Sequence, residues 1–262
     1  MVTKLTMSLF FNIAWAFPFF LWNTPQNEIK NGFYRFNLGL STILWGMACI
    51  LLFFNNSDFN EISKYLGISL AGLGLIGGYT AFIWNRDNIS FVLLSIVCGI
   101  LAMISYFLHQ SIIVNIEFLN PAFMIGVLCL SNVLFAMILG HWFLNVPFLK
   151  ITRLQKTVSM LSIFLVVRCV WDFYSIYSKE NILKDGNYIN GYSYLMSIDG
   201  IFLWIALFFG LLAPIILNIM TSQTLKLFST QSATGLLYIN VVLILMSEMI
   251  FKFYLLQYNW VL

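Results

Sequence analysis

The sequence predicts an all-α, polytopic transmembrane helix bundle of about eight helices, making up a single integral membrane domain over residues 1–262. Three observations carry that prediction. Of the residues, 61% are hydrophobic and only 9% charged, against roughly a quarter charged in soluble domains. Mean hydropathy is +0.90. Apolar stretches near the roughly 20 residues that a bilayer-spanning helix needs recur along the whole chain.

Those stretches are approximately 5–22, 36–54, 65–84, 89–108, 122–146, 157–178, 200–219 and 235–257. The first follows Lys4, a start that also suits a signal peptide, but it ends Phe20-Leu21-Trp22-Asn23-Thr24-Pro25 with no small-x-small cleavage site. It is therefore read as a retained helix. The third carries Gly67, Ala71, Gly74 and Gly78 along one face, a pattern that lets a second helix backbone approach closely. Segments six and eight are the two that carry internal charge. The seventh contains Pro214 with Asn218 one turn on, the deep-helix candidate for a break or kink. The longest connection, about 179–199, holds Lys179, Glu180, Lys184 and Asp185 and is too short for a second domain. No internal repeat is evident.

Composition also excludes function classes. Thirteen basic against ten acidic residues give a net charge of +3, scattered through short loops without a run, so nucleic acid is not an expected partner. Cys49, Cys98, Cys129 and Cys169 all fall inside apolar segments with no CxxC and no metal-ligand spacing. No metal site is expected, and packing is the expected role. Counting basic residues on alternate loops places Lys30, Arg35, Arg86, Lys150, Arg153, Lys156 and Lys226 on one side, here side A. Lys4, Lys64, Lys179, Lys184 and Lys252 fall on the other. The bias favours side A as cytoplasmic, mainly through the 147–156 loop.

Charges inside membrane helices are the best clue to function, because each costs several kcal/mol unless paired or hydrated. Segment six supplies Arg168 and Asp172, segment eight Glu248 and Lys252, each pair four residues apart on one helical face. Counted from side A, Arg168 matches Glu248 in depth and Asp172 matches Lys252. The two helices are therefore expected to be neighbours, with Arg168 facing Glu248 and Asp172 facing Lys252. A structural clamp between helices and a proton or anion site both explain such a network. Lys252 has the further option of snorkelling to side B.

A second candidate site lies at side A. Gly140-His141-Trp142-Phe143-Leu144-Asn145 joins a titratable ring, an indole donor and an amide, and Ser229-Thr230-Gln231-Ser232-Ala233-Thr234-Gly235 precedes segment eight. The bland readings are an aromatic belt and a helix N-cap from Ser229, Thr230 or Ser232. Together, His141, Trp142, Asn145, Gln231, Ser232 and Thr234 are the expected ligand-binding set, about 8–10 Å above the charge layer. An aromatic wall with one histidine and a nearby acid suits a quinone headgroup. Haem is disfavoured, because His109 and His141 fall in opposite leaflets and cannot share one iron.

The stretches 140–145 and 229–238 resemble a group of uncharacterised bacterial polytopic membrane proteins, over roughly the second half of the chain. The resemblance implies a multi-pass protein of a bacterial inner (cytoplasmic) membrane and no activity. The expected function is an electron-transport-type protein or respiratory-complex subunit, binding a quinone near His141 and passing protons through the buried charges. An ion or small-solute transporter or channel using the same charges is the alternative, and a non-catalytic scaffold or assembly subunit is the third. The expected partners are the lipid bilayer and other membrane subunits. Whether the protein is an enzyme stays open, and no catalytic residue is assigned.

Overall fold

The computed structural model describes residues 2–26, 29, 31–55, 59–84, 89–114, 121–146, 149–180, 182–184 and 187–262. Eight helices among them are long and apolar enough to cross a membrane: Val2–Asn23, Asn31–Phe54, Tyr65–Trp84, Phe91–Ser111, Met124–Asn145, Thr152–Ser178, Ile198–Lys226 and Thr230–Tyr258. The protein is thus an all-α, multi-pass membrane protein. The chain divides into two compact units, Met1–Leu119 and Asn120–Leu262, each with its own interior.

Unit 1 contains helices α1 (Val2–Phe19), α2 (Asn31–Asn55), α3 (Phe59–Trp84) and α4 (Phe91–Leu108). Helix α1 packs on α2 and α4, and α3 packs on the same two, so the four close a ring in sequence order. Helix α1 is the most enclosed of them, with Met7, Phe11, Ala14 and Phe17 buried; it packs as a core element. The expected close-approach stripe on α3 does not form. Nothing lies within 4 Å of where a Cβ would stand at Gly67, Gly74 or Gly78. The helix approaches its neighbour one step round, at Gly72, where a Cβ would come 2.5 Å from the Trp45 ring. That indole donates to the Ser69 carbonyl at 2.8 Å. The reason is that Trp45 fills the groove and must bond its N–H there, which turns the small-residue stripe outward.

Unit 2 contains α5 (Met124–Asn145) and α6 (Thr152–Ser178), then a short antiparallel hairpin of β1 (Ile182–Lys184) and β2 (Asn187–Ile189). After it come α7 (Gly191–Leu195), α8 (Ile201–Leu207), α9 (Ala213–Lys226) and α10 (Thr230–Tyr258). Its spans also close a ring in order: α5 on α6, α6 on α9, α9 on α10 and α10 on α5. The seventh span passes through a π-helical turn at Phe208–Leu212 directly before α9. Pro214, in the first turn of α9, has no N–H to return to residue 210, and a wider turn absorbs the missing bond. Gly210 in that turn admits Ser247 of α10, whose side chain would lie 2.5 Å from an added Cβ.

The 179–199 connection folds back onto the end of α10. Tyr194, Tyr254 and Trp260 form an edge-to-face aromatic cluster with centroids 5.8–6.1 Å apart. Trp260 donates its indole N–H to Ser175 Oγ at 3.0 Å. Beside it, Lys179 Nζ donates to the Asn259 carbonyl at 3.1 Å, and burial lowers its ammonium below the ordinary lysine value. Asn259 ends α10 in the left-handed region, φ 48°, a conformation asparagine tolerates better than most residues.

Candidate functional site

All four buried charges meet in unit 2. Arg168, Asp172, Glu248 and Lys252 are each at most 4% exposed, and among the described residues outside 59–64 and 183–184 no other Asp, Glu, Lys or Arg is buried. They form a line. Arg168 Nε lies 3.0 Å from both Asp172 oxygens and hydrogen-bonds Oδ2. Arg168 Nη1 lies 3.2 Å from Glu248 Oε1, and Lys252 Nζ lies 3.3 Å from Glu248 Oε2. The order Asp172–Arg168–Glu248–Lys252 therefore alternates in sign and sums to zero with all four ionised. The expected Arg168–Glu248 contact forms. The expected Asp172–Lys252 contact does not, because Glu248 is on Lys252's own helix face and reaches it first.

The two helices do not pack as neighbours in the way depth matching suggests. Helices α6 and α10 each pack on α5 and α9, which places them across the diagonal of the ring. Matching depth constrains height along the membrane normal but not position around the ring, and Arg and Glu side chains are long enough to bridge a diagonal. Helix α5 makes room for that bridge. A Cβ at Gly126 would overlap Arg168 Nη1 and Glu248 Oε1, so only glycine lets the pair lie against the α5 backbone. Phe251 covers the guanidinium with its ring, 4.4 Å from centroid to Cζ, a contact that favours a desolvated cation. Lys252 does not snorkel away. It stays buried at 4%, 6.0 Å from the Phe123 centroid. A cleft lined by Phe123, Glu248, Phe251, Lys252, Leu255 and Leu262 reaches the Glu248–Lys252 end of the line.

The side A set divides. His141 is exposed at the end of α5, with Nδ1 3.4 Å from the Tyr238 hydroxyl of α10. Trp142 is half-buried beside it. Asn145 is exposed and donates to its own helix, at the His141 carbonyl, 3.2 Å away. Gln231 and Ser232 are exposed on the first turn of α10, while Thr234 is 2% exposed and bonds the Thr230 carbonyl at 2.8 Å. Thr234 is therefore a packing residue: a Cβ at Gly140 would come 2.7 Å from its Oγ1. Ser229 is the residue before α10, yet its side chain makes no cap hydrogen bond.

Helix α10 starts at Thr230, five residues ahead of the expected 235, and α6 at Thr152, five ahead of 157. The polar Thr, Gln and Ser residues there are helical at the membrane edge instead of forming loops. The distance to the charge layer is also longer than expected. Thr234 and Glu248 stand fourteen residues apart on α10, as do Gly140 and Gly126 on α5, ~21 Å along the axis at ~1.5 Å per residue, where 8–10 Å was expected.

Three groups escaped the sequence reading. Gly126 gives no signal of its own. Tyr238 lies in an apolar run and becomes relevant only once α10 is set against α5. Asn132 and Asn240 sit inside spans five and eight, and an intramembrane amide is a legible signal that the charges overshadowed. His109 belongs to unit 1, where its Nδ1 is 3.0 Å from Ser8 Oγ. No family model matches the chain, and no curated protein or solved structure does either.

Proposed function

We propose that the protein works in proton-linked electron transport within the membrane, a quinone-like headgroup docking at the His141–Tyr238 edge of unit 2 and protons moving through the Asp172–Arg168–Glu248–Lys252 line. The observation that carries this reading is the line itself: a buried carboxylate held between two cations, with a cleft at one end. Taking a proton at Glu248 changes the sum of the line from zero to positive, and releasing it restores neutrality. A group that can do this inside a helix bundle suits charge-coupled work better than a clamp does, since a clamp of apolar side chains holds helices at lower cost. His141 and Tyr238 add a hydrogen-bonding pair on an exposed helix edge, where an isoprenoid carrier in the bilayer can approach and exchange protons as it is reduced.

The resemblance of the 140–145 and 229–238 stretches to bacterial polytopic proteins is consistent with a bacterial inner membrane, where redox subunits would supply the electrons. The test is purification in mild detergent followed by mass spectrometry of co-purifying lipids and a visible spectrum. Retained quinone, lost in His141→Ala, is the expected result. Quinone binding and turnover that survive His141→Ala overturn the reading.

A transporter or channel is the second reading, and the π-helical turn at Phe208–Leu212, midway along the seventh span, favours it, because such turns recur at functional sites. It expects solute or ion flux in liposomes that needs the charged line and no quinone. Loss of neither activity after neutral replacement of both charge pairs leaves the scaffold reading.

A further inference from the structure

Between the Thr234 level and the charge layer, the interior of unit 2 holds polar atoms with nothing to bond. Asn132 and Asn240 are both fully buried at 0%, and neither the Nδ2 nor the Oδ1 of either has a hydrogen-bond partner. Ser131 Oγ, also 0% exposed, and Asn218 Oδ1 lack one as well. An unpaired amide in a membrane interior is costly, and these groups gather in one part of the bundle.

Their placement follows from two contacts. Gly126 meets Glu248 and Gly140 meets Thr234, which fixes the antiparallel register of α5 against α10. In that register, Asn240 stands six residues inward of Thr234, ~9 Å, and Asn132 six residues above Gly126, ~9 Å. The two amides thus differ in height by ~3 Å and, at ~100° of turn per residue, project to the same side of the α5–α10 contact. On α10 that side carries Ile244, Ser247 and Phe251, all buried and facing the ring interior. Asn218 of α9 stands eight residues, ~12 Å, above the Gly210–Ser247 contact, a height similar to that of Asn240, and donates to Ser162 Oγ at 2.7 Å and the Val158 carbonyl at 3.2 Å. Three helices therefore aim amides into one interior, above Glu248.

We propose that this interior is a hydrated passage, a chain of water molecules running from the Thr234 end of the bundle past Asn240 and Asn132 to Glu248. The occupant is named by the chemistry of its partners. Each amide offers a donor and an acceptor and no charge. A cation would leave Nδ2 unbonded and an anion would leave Oδ1 unbonded, whereas water satisfies both. Steps of ~9–12 Å between levels are spanned by a few waters at ~2.8 Å spacing. In the proton-linked reading, on which the passage's use rests, a proton enters from the Thr234 end, hops between waters and adds to the Glu248 carboxylate. It leaves by the cleft beside Lys252. No electron or bond beyond O–H changes. Asn240 and Asn132 are positioning residues that hold the waters in line.

X-ray hydroxyl-radical footprinting of the full chain in proteoliposomes tests the passage, because radicals form from water where it stands. The expected result is labelling of Ile244 and Leu139 at least tenfold above that of Leu101, equally buried in unit 1, lost in the Asn132→Leu/Asn240→Leu double variant and kept in Asn240→Ser. The double variant should fold, since it removes unpaired amides without changing volume much, and its thermal midpoint checks this. Labelling of Ile244 and Leu139 no higher than Leu101 in the wild type overturns the passage. So does labelling unchanged in the double variant. Proton flux, followed with a trapped pH-sensitive dye, is scored separately. A labelled passage without flux removes the proton-linked reading and leaves the passage standing; flux through an unlabelled interior does the reverse.

Discussion

Units 1 and 2 share one connectivity, four consecutive spans closing a ring in order, and fill their interiors in opposite ways. Unit 1 buries neutral groups, several tied to one another or to helix carbonyls: Ser8 with His109 at 3.0 Å, Ser105 donating to Asn12 at 2.9 Å, and Tyr34 donating to the Thr24 carbonyl at 2.8 Å, while Ser41 Oγ has no partner. None of its Asp, Glu, Lys or Arg residues outside 59–64 and the undescribed residues is buried. Unit 2 buries four charges in a line and sets unbonded amides above them. Neutral hydrogen bonds suffice to hold such a ring together, as unit 1 demonstrates. The charges of unit 2 therefore need a reason beyond assembly, which is why the functional reading rests there.

The comparison breaks most sharply at Arg168. Arg168→Leu leaves Asp172 and Glu248 facing a buried gap, and about 3–5 kcal/mol of stability should go with it. Thermal unfolding in mild detergent measures the loss, and adding Asp172→Leu, which leaves the neutral Glu248–Lys252 pair, should restore most of it. If the single variant is neutral, the line is not ionised in the folded protein. Next comes Gly126→Ala, expected to cost about 1–3 kcal/mol by overpacking and to push Arg168 and Glu248 apart. Gly78→Ala in unit 1, where no atom lies within 4 Å of the new Cβ, should leave the midpoint within about 0.5 kcal/mol of wild type or slightly raise it. Equal effects at the two glycines would erase the distinction between the units. At Ser8→Ala a loss of about 1 kcal/mol is expected, for its neutral bond to His109, with quinone binding and flux untouched.

The eight spans were legible because hydropathy is a local property and each span carries its own signal. Their ends were less so. Thr221, Ser222, Gln223 and Thr224 read as loop and prove helical up to Lys226, since a helix satisfies its own backbone bonds and polar side chains at the membrane edge do not oppose it. In the candidate site, the spacing of Arg168 to Asp172 and of Glu248 to Lys252 exposed both intrahelical pairs. Their meeting across the diagonal was half legible: the sequence carries height and not azimuth, so depth matched Arg168 to Glu248 and misplaced the helices. Asn132 and Asn240 are legible as intramembrane amides, but their shared placement above Glu248 comes only from the register that Gly126 and Gly140 set, a tertiary property. The exposure of His141 and the burial of Thr234 were likewise invisible, because one helical step decides each.

The alternation of sign along the charged line also bears on how the chain enters the bilayer. Spans emerge from the ribosome in order, so α6 must settle among lipids before α10 exists. Each charged residue at a helix centre costs about 2.5–3.5 kcal/mol at insertion, and a helix carrying one unpaired charge would wait for its partner. Helix α6 arrives with Arg168 already beside Asp172, and α10 with Lys252 already beside Glu248. Each is electrically neutral on its own. The Arg168–Glu248 contact then forms by joining two finished pairs, so neither span needs the other as an escort across the membrane.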